Sequence, residues 1–301
     1  MKRGEASRTA EFNALFRALE LSRRPRSKRL FEDPLAKGFL GPEGYAWFLL
    51  SLVPLVGRFV PWHIDRKWPG VRPSAIGRTC WIDDQLYNAL KDGINQIVIL
   101  GSGYDCRAYR LRDMGKTRVY EIDHPDTLRE KVRHLKRLLR FIPENVTFVE
   151  VDFASQDFTE MLNISRFDRT IPTFFLWEGV MHYLTAEAVD LTMRSIRSLS
   201  APGSRLVFTY IHRGLLDGSV SFGEMGDVPN MLQKSGEVWT FGLYPDELSS
   251  YLSKRGFTLV VDIGSREFRA HYMGTSGRHL EGFEFYRAAI AEVKIILFEK
   301  A

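Results

Sequence analysis

Cysteine is nearly absent: the 301 residues hold only Cys80 and Cys106. Two thiols cannot build a disulfide framework, and neither has a metal-ligand partner at close spacing. A stapled fold and a metal site are therefore not expected, and a reducing, cytoplasmic setting is. An uninterrupted apolar run of membrane-spanning length is lacking too. The nearest approach, residues 45–62 (YAWFLLSLVPLVGRFVPW), is broken by Pro54, Gly57, Arg58 and Pro61, short of the ~20 residues a span needs. That segment is expected to pack over a pocket or core, with an interfacial position as the alternative, and without stable membrane insertion. Met1–Phe12 is polar and charged, so no secretory signal is read. Nor does one sign of charge dominate: 42 Lys and Arg against 37 Asp and Glu leave a formal +5. The two basic runs, Ser22–Arg29 and Lys131–Arg140, read as a loop and as the outer face of a helix. This argues against a nucleic-acid partner and weakly for an acidic small molecule. Repeats and low-complexity tracts are absent as well.

What is present is an alternation. From residue 96 onward, short apolar runs are separated by longer amphipathic stretches, the pattern of a mostly parallel α/β sheet of Rossmann-like type. Seven strands are expected, at Gln96–Leu100, Arg118–Asp123, Val146–Phe153, Thr173–Trp177, Ser204–Ile211, Phe257–Ile263 and Glu292–Glu299. Pro125–Arg140 carries apolar residues at helical spacing, and Thr185 opens a second helix whose buried stripe is Val189, Met193, Ile196 and Leu199. Residues 1–92 read as a helical N-terminal extension and lid, and 93–301 as the core. Insertions at about 212–243 and 264–286 are expected to shape a substrate pocket at the strand ends.

The first strand runs into Leu100-Gly101-Ser102-Gly103-Tyr104-Asp105. Gly101 and Gly103 allow backbone to approach a ligand, although tight turns use the same residues. The second strand ends at Asp123, 22 residues after Gly101. A carboxylate there can accept from ribose hydroxyls, or can simply cap the next helix. Cys106 fills the position of the third glycine that a pyrophosphate site needs. This favours S-adenosylmethionine, which has ribose and adenine but no phosphate, over a nicotinamide dinucleotide. Asp152 and Phe153, after the third strand, suit the amine and ring of adenine. Glu178, at the tip of the fourth, would need a cationic or hydrogen-bonding partner if buried.

Four stretches then resemble the leucine carboxyl methyltransferase-like group of S-adenosylmethionine-dependent methyltransferases. They are Arg78-Thr79-Cys80-Trp81-Ile82-Asp83-Asp84, Leu100 through Leu111 with its Asp105-Cys106-Arg107-Ala108-Tyr109-Arg110-Leu111 segment, Tyr120 through Pro125, and Trp177 through Leu184. Phe31-Glu32-Asp33-Pro34-Leu35-Ala36 is similar to the N-terminal signature of that group. The resemblance implies a class I methyltransferase fold with S-adenosyl-L-methionine as cofactor. It also implies that Arg78 binds the methionine carboxylate, Gly101 lines the cofactor, Asp123 holds the ribose, and Asp152 and Phe153 meet adenine. Glu178 and Tyr183 would border the methionine end and the acceptor. The C-terminal third matches poorly, so the resemblance leaves the substrate open.

An oxygen is the expected acceptor. A carboxylate is already ionised and needs no base, whereas a phenol or alcohol does. His182 and His212 follow the fourth and fifth strands and are the best-placed bases if one is required. For a carboxylate, Arg269 and Tyr272 are the preferred contacts, with Tyr286 as a further hydroxyl donor. The aromatic-rich lid candidates suggest a small, hydrophobic acid, bound by a monomer or homodimer.

Overall fold

The computed structural model describes residues 8–23, 26–153, 156–222, 238–278 and 282–294. Seven strands form one sheet: β1 (Gln96–Leu100), β2 (Arg118–Asp123), β3 (Val146–Glu150), β4 (Phe174–Trp177), β5 (Arg205–Ile211), β6 (Phe257–Gly264) and β7 (Tyr286–Val293). Their spatial order is β3-β2-β1-β4-β5-β7-β6, with β7 antiparallel to both its neighbours and the other pairs parallel. The order reverses between β1 and β4, and in open α/β sheets the ligand crevice lies beyond the carboxyl ends of the strands at such a switch point.

All five residues of β1 are buried, as expected of a central parallel strand covered on both faces. Side chains alternate between the two faces. Val98, Leu100, Phe175 and Trp177 meet Val189, Met193, Ile196 and Leu199 of α8 (Ala186–Leu199). Ile97, Ile99, Phe174 and Leu176 meet Trp81, Ile82, Leu86 and Ala89 of α4 (Val71–Lys91). Thr185 caps α8 as its sequence suggests, its hydroxyl accepting from Ala188 N at 3.3 Å. Two short helices, α5 (Arg107–Arg110) and α7 (Thr159–Ile164), follow β1 and β3. Between β2 and β3, α6 spans Pro125–Leu138, opened by Pro125 and by His124 Nδ1, which accepts from Asp126 N.

Two sequence expectations need correction. The last strand begins at Tyr286, not Glu292. Its Ala288, Ala289 and Ala291 have little β-propensity, but the strand is sandwiched between β5 and β6, where small buried residues fit. The stretch after β6, expected to be a pocket-shaping insertion, is largely helical over Ser265–Arg278, in two segments that meet at the non-helical Gly274 (φ 59°, ψ −140°), and it packs on α4. Phe268 lies against Gly77, and its ring is 5.7 Å from that of Trp81. Residues 45–62 pack over a core on one side only. Phe48, Val60 and Ile64 of α2 (Pro42–Ser51) and α3 (Phe59–Lys67) pack with Leu15, Phe16 and Leu19 of α1 (Arg8–Glu20), but the outer sides stand exposed. No helix among the described residues is long and apolar enough to cross a membrane.

Candidate active site

The turn after β1 is built for close approach. Gly101 and Gly103 have φ of 66° and 38°, a region that side chains rarely tolerate. A Cβ at position 101 would collide with Val180 just past β4. Ile122 O accepts from both Gly101 N and Ser102 N, at 2.8 and 3.0 Å, tying the turn to β2. Asp123 completes the fastening: its Oδ2 accepts from Gly103 N at 2.6 Å and its Oδ1 from His124 N at 2.7 Å. Burial raises the Asp123 carboxyl above its ordinary pKa despite these two donors. Asp152 and Phe153 follow β3. Phe153 is buried edge-on to Phe158, and Asp152 N donates to Gln156 Oε1.

Across the crevice, Glu178 stands between two arginines. Arg78 Nε donates to its Oε1 at 2.7 Å, and Arg107 Nη1 to its Oε2 at 2.8 Å. Burial pushes the Glu178 carboxyl up, but Arg107 and Arg78 outweigh that and hold it below its ordinary range. Arg78 also donates to Asn13 Oδ1 and lies 4.8 Å over the ring of Tyr286. Arg107 bonds Asp83 Oδ1 at 2.8 Å and pairs with Asp105. Arg110 continues the chain from Asp83 to Asp33, and Asp33 meets Arg17 at 2.9 Å. Four arginines and four carboxylates thus form one ladder joining α1, α4, the glycine turn and the tip of β4. The carboxyl partners leave the arginines no uncompensated charge, which burial requires.

Burial raises Asp105, but the charges of Arg107 and Lys131 more than offset it and bring the group from 3.8 to about 2. A carboxyl with a depressed folded pKa stabilises the fold fully above its unfolded value and loses that contribution as pH falls through the folded one. Asp105→Asn is therefore expected to flatten the stability loss between about pH 4 and about pH 2 by about 2 kcal/mol. Urea denaturation at stepped pH reads this; an acid limb identical to the parent would contradict it.

Past β4, the turn Met181–Tyr183 places His182 under the crevice. The His182 ring is buried, 4.2 Å from Tyr183, 4.9 Å edge-on from Trp239 and 5.9 Å from Tyr286. Burial and then the charge of Arg78 push it down to about 3. Tyr183 reaches Thr9 Oγ1 of α1 at 3.3 Å, and Tyr286 shares a 2.9 Å hydrogen bond with Thr209. His212 lies off this cluster, between Phe222 and Tyr244, with its Nδ1 accepting from Gly214 N.

Arg78, Gly101, Gly103, Asp123, Asp152, Phe153, Glu178, His182 and Tyr183 are thus all carried on the turns that follow β1 to β4, or face them. Arg269 and Tyr272 are engaged elsewhere. Arg269 is fully buried, donating to Ser74 Oγ and Gly282 O at 2.8 Å and pairing with Glu284. Tyr272 donates to Asp84 Oδ2 at 2.6 Å. Both fasten the Ser265–Arg278 helix to α4. Arg107, Asp83 and Asp105 were given no role by sequence reasoning, although they lie inside two of the motifs. Asp105 is the local partner of Arg107, but Asp83 and Glu178 lie 24 and 71 residues from it, where no local periodicity can reveal them.

An open α/β sheet whose ligand crevice is ringed by a glycine turn and strand-tip carboxylates defines a class I methyltransferase architecture. The profile of the leucine carboxyl methyltransferase family matches residues 10–197, and the chain belongs to that family. A Streptomyces coelicolor protein, provisionally named an S-adenosyl-L-methionine-dependent methyltransferase, is 32% identical over 83% of this chain and 82% of its own. One from Mycobacterium ulcerans, named in the same way, is 32% identical over 91% and 83%. The fold is similar to that of a DUF574 family protein from Streptomyces avermitilis, with TM-score 0.61, 15% identity and coverage of 96% and 98%. It is also similar to a Thermobifida fusca protein provisionally named a methyltransferase, with TM-score 0.60, 19% identity and coverage of 98% and 97%.

Proposed function

We propose that this chain transfers the methyl group of S-adenosyl-L-methionine to an oxygen of a small, apolar carboxylic acid, giving a methyl ester. Methyl transfer dependent on S-adenosyl-L-methionine comes with the family; the carboxylate acceptor is our reading. One observation carries it. His182 Nδ1 and Trp239 Nε1 are buried with no hydrogen-bond partner among the described residues, and their rings are in edge-on contact. An orphaned buried polar group costs about 1–3 kcal/mol, so the pair calls for a ligand. The indole N–H can only donate, and a neutral imidazole with its proton on Nδ1 donates beside it. A carboxylate oxygen satisfies both. With its pKa near 3, His182 is neutral at pH 7 and too weak a base to activate a phenol of pKa ~10. An acid needs no activation.

The residues fit the cofactor. Each Asp123 oxygen accepts one backbone N–H, leaving lone pairs for two ribose hydroxyls. Gly101 and Gly103 keep the backbone bare, Asp152 and Phe153 offer an acceptor and a ring for adenine, and Arg78 forks onto the methionine carboxylate beside Glu178. When bound, S-adenosyl-L-methionine supplies an electrophilic methyl group on a sulfonium. The chain's own contribution is position: His182 and Trp239 fix the acid, Tyr183 and Tyr286 wall the space, and the α1 residues Thr9 and Asn13 cover it. In this reading residues 1–92 act as the lid and 93–301 as the core.

The test is labelled cofactor with a panel of carboxylic acids and phenols, read by mass spectrometry. Acids are expected to gain the methyl group, with kcat flat from about pH 6 to about pH 8 because no His base titrates. Trp239→Phe should raise KM for the acid about tenfold while leaving S-adenosylhomocysteine affinity unchanged. Methylated phenols, with a rate that climbs through a pKa near neutrality, would overturn the reading.

A further inference from the structure

Nine of the seventeen exposed large hydrophobics among the described residues fall within residues 45–62. Single exposed apolar side chains are ordinary on a protein surface, but a concentration of this kind marks an interaction site. The hairpin of α2 and α3 turns Phe48, Val60 and Ile64 inward. Leu50, Val53, Leu55, Val56, Phe59 and Trp62 are left outside. Leu55, at the tip, is 88% exposed and Phe59 61%. Leu55 also has a φ of 67°, a conformation that costs a leucine roughly 1–3 kcal/mol.

Charge around this tip has one sign. No carboxylate lies between Glu43 and Asp65, and Asp65 is taken by Arg72 through two hydrogen bonds. Arg58, Arg66 and Lys67 are exposed. Arg66 lies 5.7 Å over the Trp62 ring and Lys67 4.6 Å over that of Trp68. An apolar tip with Arg58 at its base, followed along α3 by Trp62 and the exposed Arg66 and Lys67, has the chemistry of the headgroup boundary of an anionic bilayer.

We propose that the α2–α3 tip docks this protein on an anionic membrane surface, with its apolar side chains dipping among the acyl chains and Arg58, Arg66 and Lys67 at the phosphates. The helices have 10 and 9 residues, about 15 and 14 Å of length, against the ~30 Å of a hydrocarbon core. Docking is therefore shallow. A second copy of the chain would bring three more cations to a face that already carries three and no free carboxylate between Glu43 and Asp65, so the anionic surface is the better-matched occupant.

The test uses the full-length protein in co-sedimentation with vesicles of phosphatidylcholine alone and of phosphatidylcholine mixed with phosphatidylglycerol. Binding is expected to the mixed vesicles, weakening as salt is raised. Leu55→Asp combined with Phe59→Asp should lower it at least about tenfold, with an unchanged thermal midpoint because both side chains are exposed. Arg58→Gln and Lys67→Gln should each lower it about fivefold. The proposal fails if the protein stays in the supernatant with both vesicle types, or if the double variant binds like the parent. It also fails if light scattering finds a dimer that the double variant converts to monomer.

Discussion

Arg107→Ala is expected to cost about 3–5 kcal/mol of folding stability, the penalty for breaking a buried ion pair by removing one partner. The residue is 4% exposed and donates to three carboxylates, those of Asp83, Asp105 and Glu178. Without it, Glu178 retains Arg78 and Asp83 retains Arg110, but Asp105 loses its side-chain partner and is left with one backbone N–H. Lysine should recover only part of the loss, because one ammonium cannot reproduce the fork that reaches three acids. Combining Arg107→Ala with Asp105→Asn should cost less than the sum of the single changes, since the stranded charge is then gone. A useful contrast is Arg194, 64% exposed and paired with Asp190, whose replacement by Ala should cost under about 1 kcal/mol. Urea denaturation of these variants, with Asp105→Asn alone to complete the cycle, checks the series; a loss below about 1 kcal/mol at Arg107 would mean the ladder is not what holds the crevice together.

The sheet and the crevice are legible in the sequence to different depths. β1 and its glycine turn can be read because the signal is local: a five-residue run buried on both faces leads into two glycines whose positive φ the turn requires. Asp123 and Glu178 can be read because strand ends are visible and a topological switch point collects strand ends. Arg107 could not be given its role from the same information. Its partners lie on α4, in the turn and beyond β4, and only the closed sheet brings them together. β7 was misplaced for a different reason. Burial between two strands selects alanine there, and alanine carries no strand signal. Arg269 and Tyr272 lie in a stretch that the sequence marks only as an insertion, and their contacts to Ser74 and Asp84 of α4 come from a helical packing that no local signal shows.

The two ends of the proposed cofactor site can be separated by ligand. Arg78 faces the tip of β4 and Asp123 fastens the turn after β1, so each should answer to a different part of the same molecule. Arg78→Met is expected to weaken S-adenosylhomocysteine by about 1–3 kcal/mol through the lost charged hydrogen bonds, and to leave adenosine, which lacks the amino-acid end, almost unaffected. Asp123→Asn should weaken both ligands to the same degree. It also carries a structural cost of its own, as Arg78→Met does by taking one of the two arginine partners of Glu178. An amide offers one oxygen where Gly103 N and His124 N each need an acceptor, so one N–H is orphaned at about 1–3 kcal/mol. Asp123→Asn should accordingly lower the melting temperature as well as affinity. Calorimetry of both ligands on both variants decides it. If Arg78→Met loses adenosine as well as S-adenosylhomocysteine, or if both variants bind both ligands as the parent does, the cofactor does not lie across this crevice in the proposed direction.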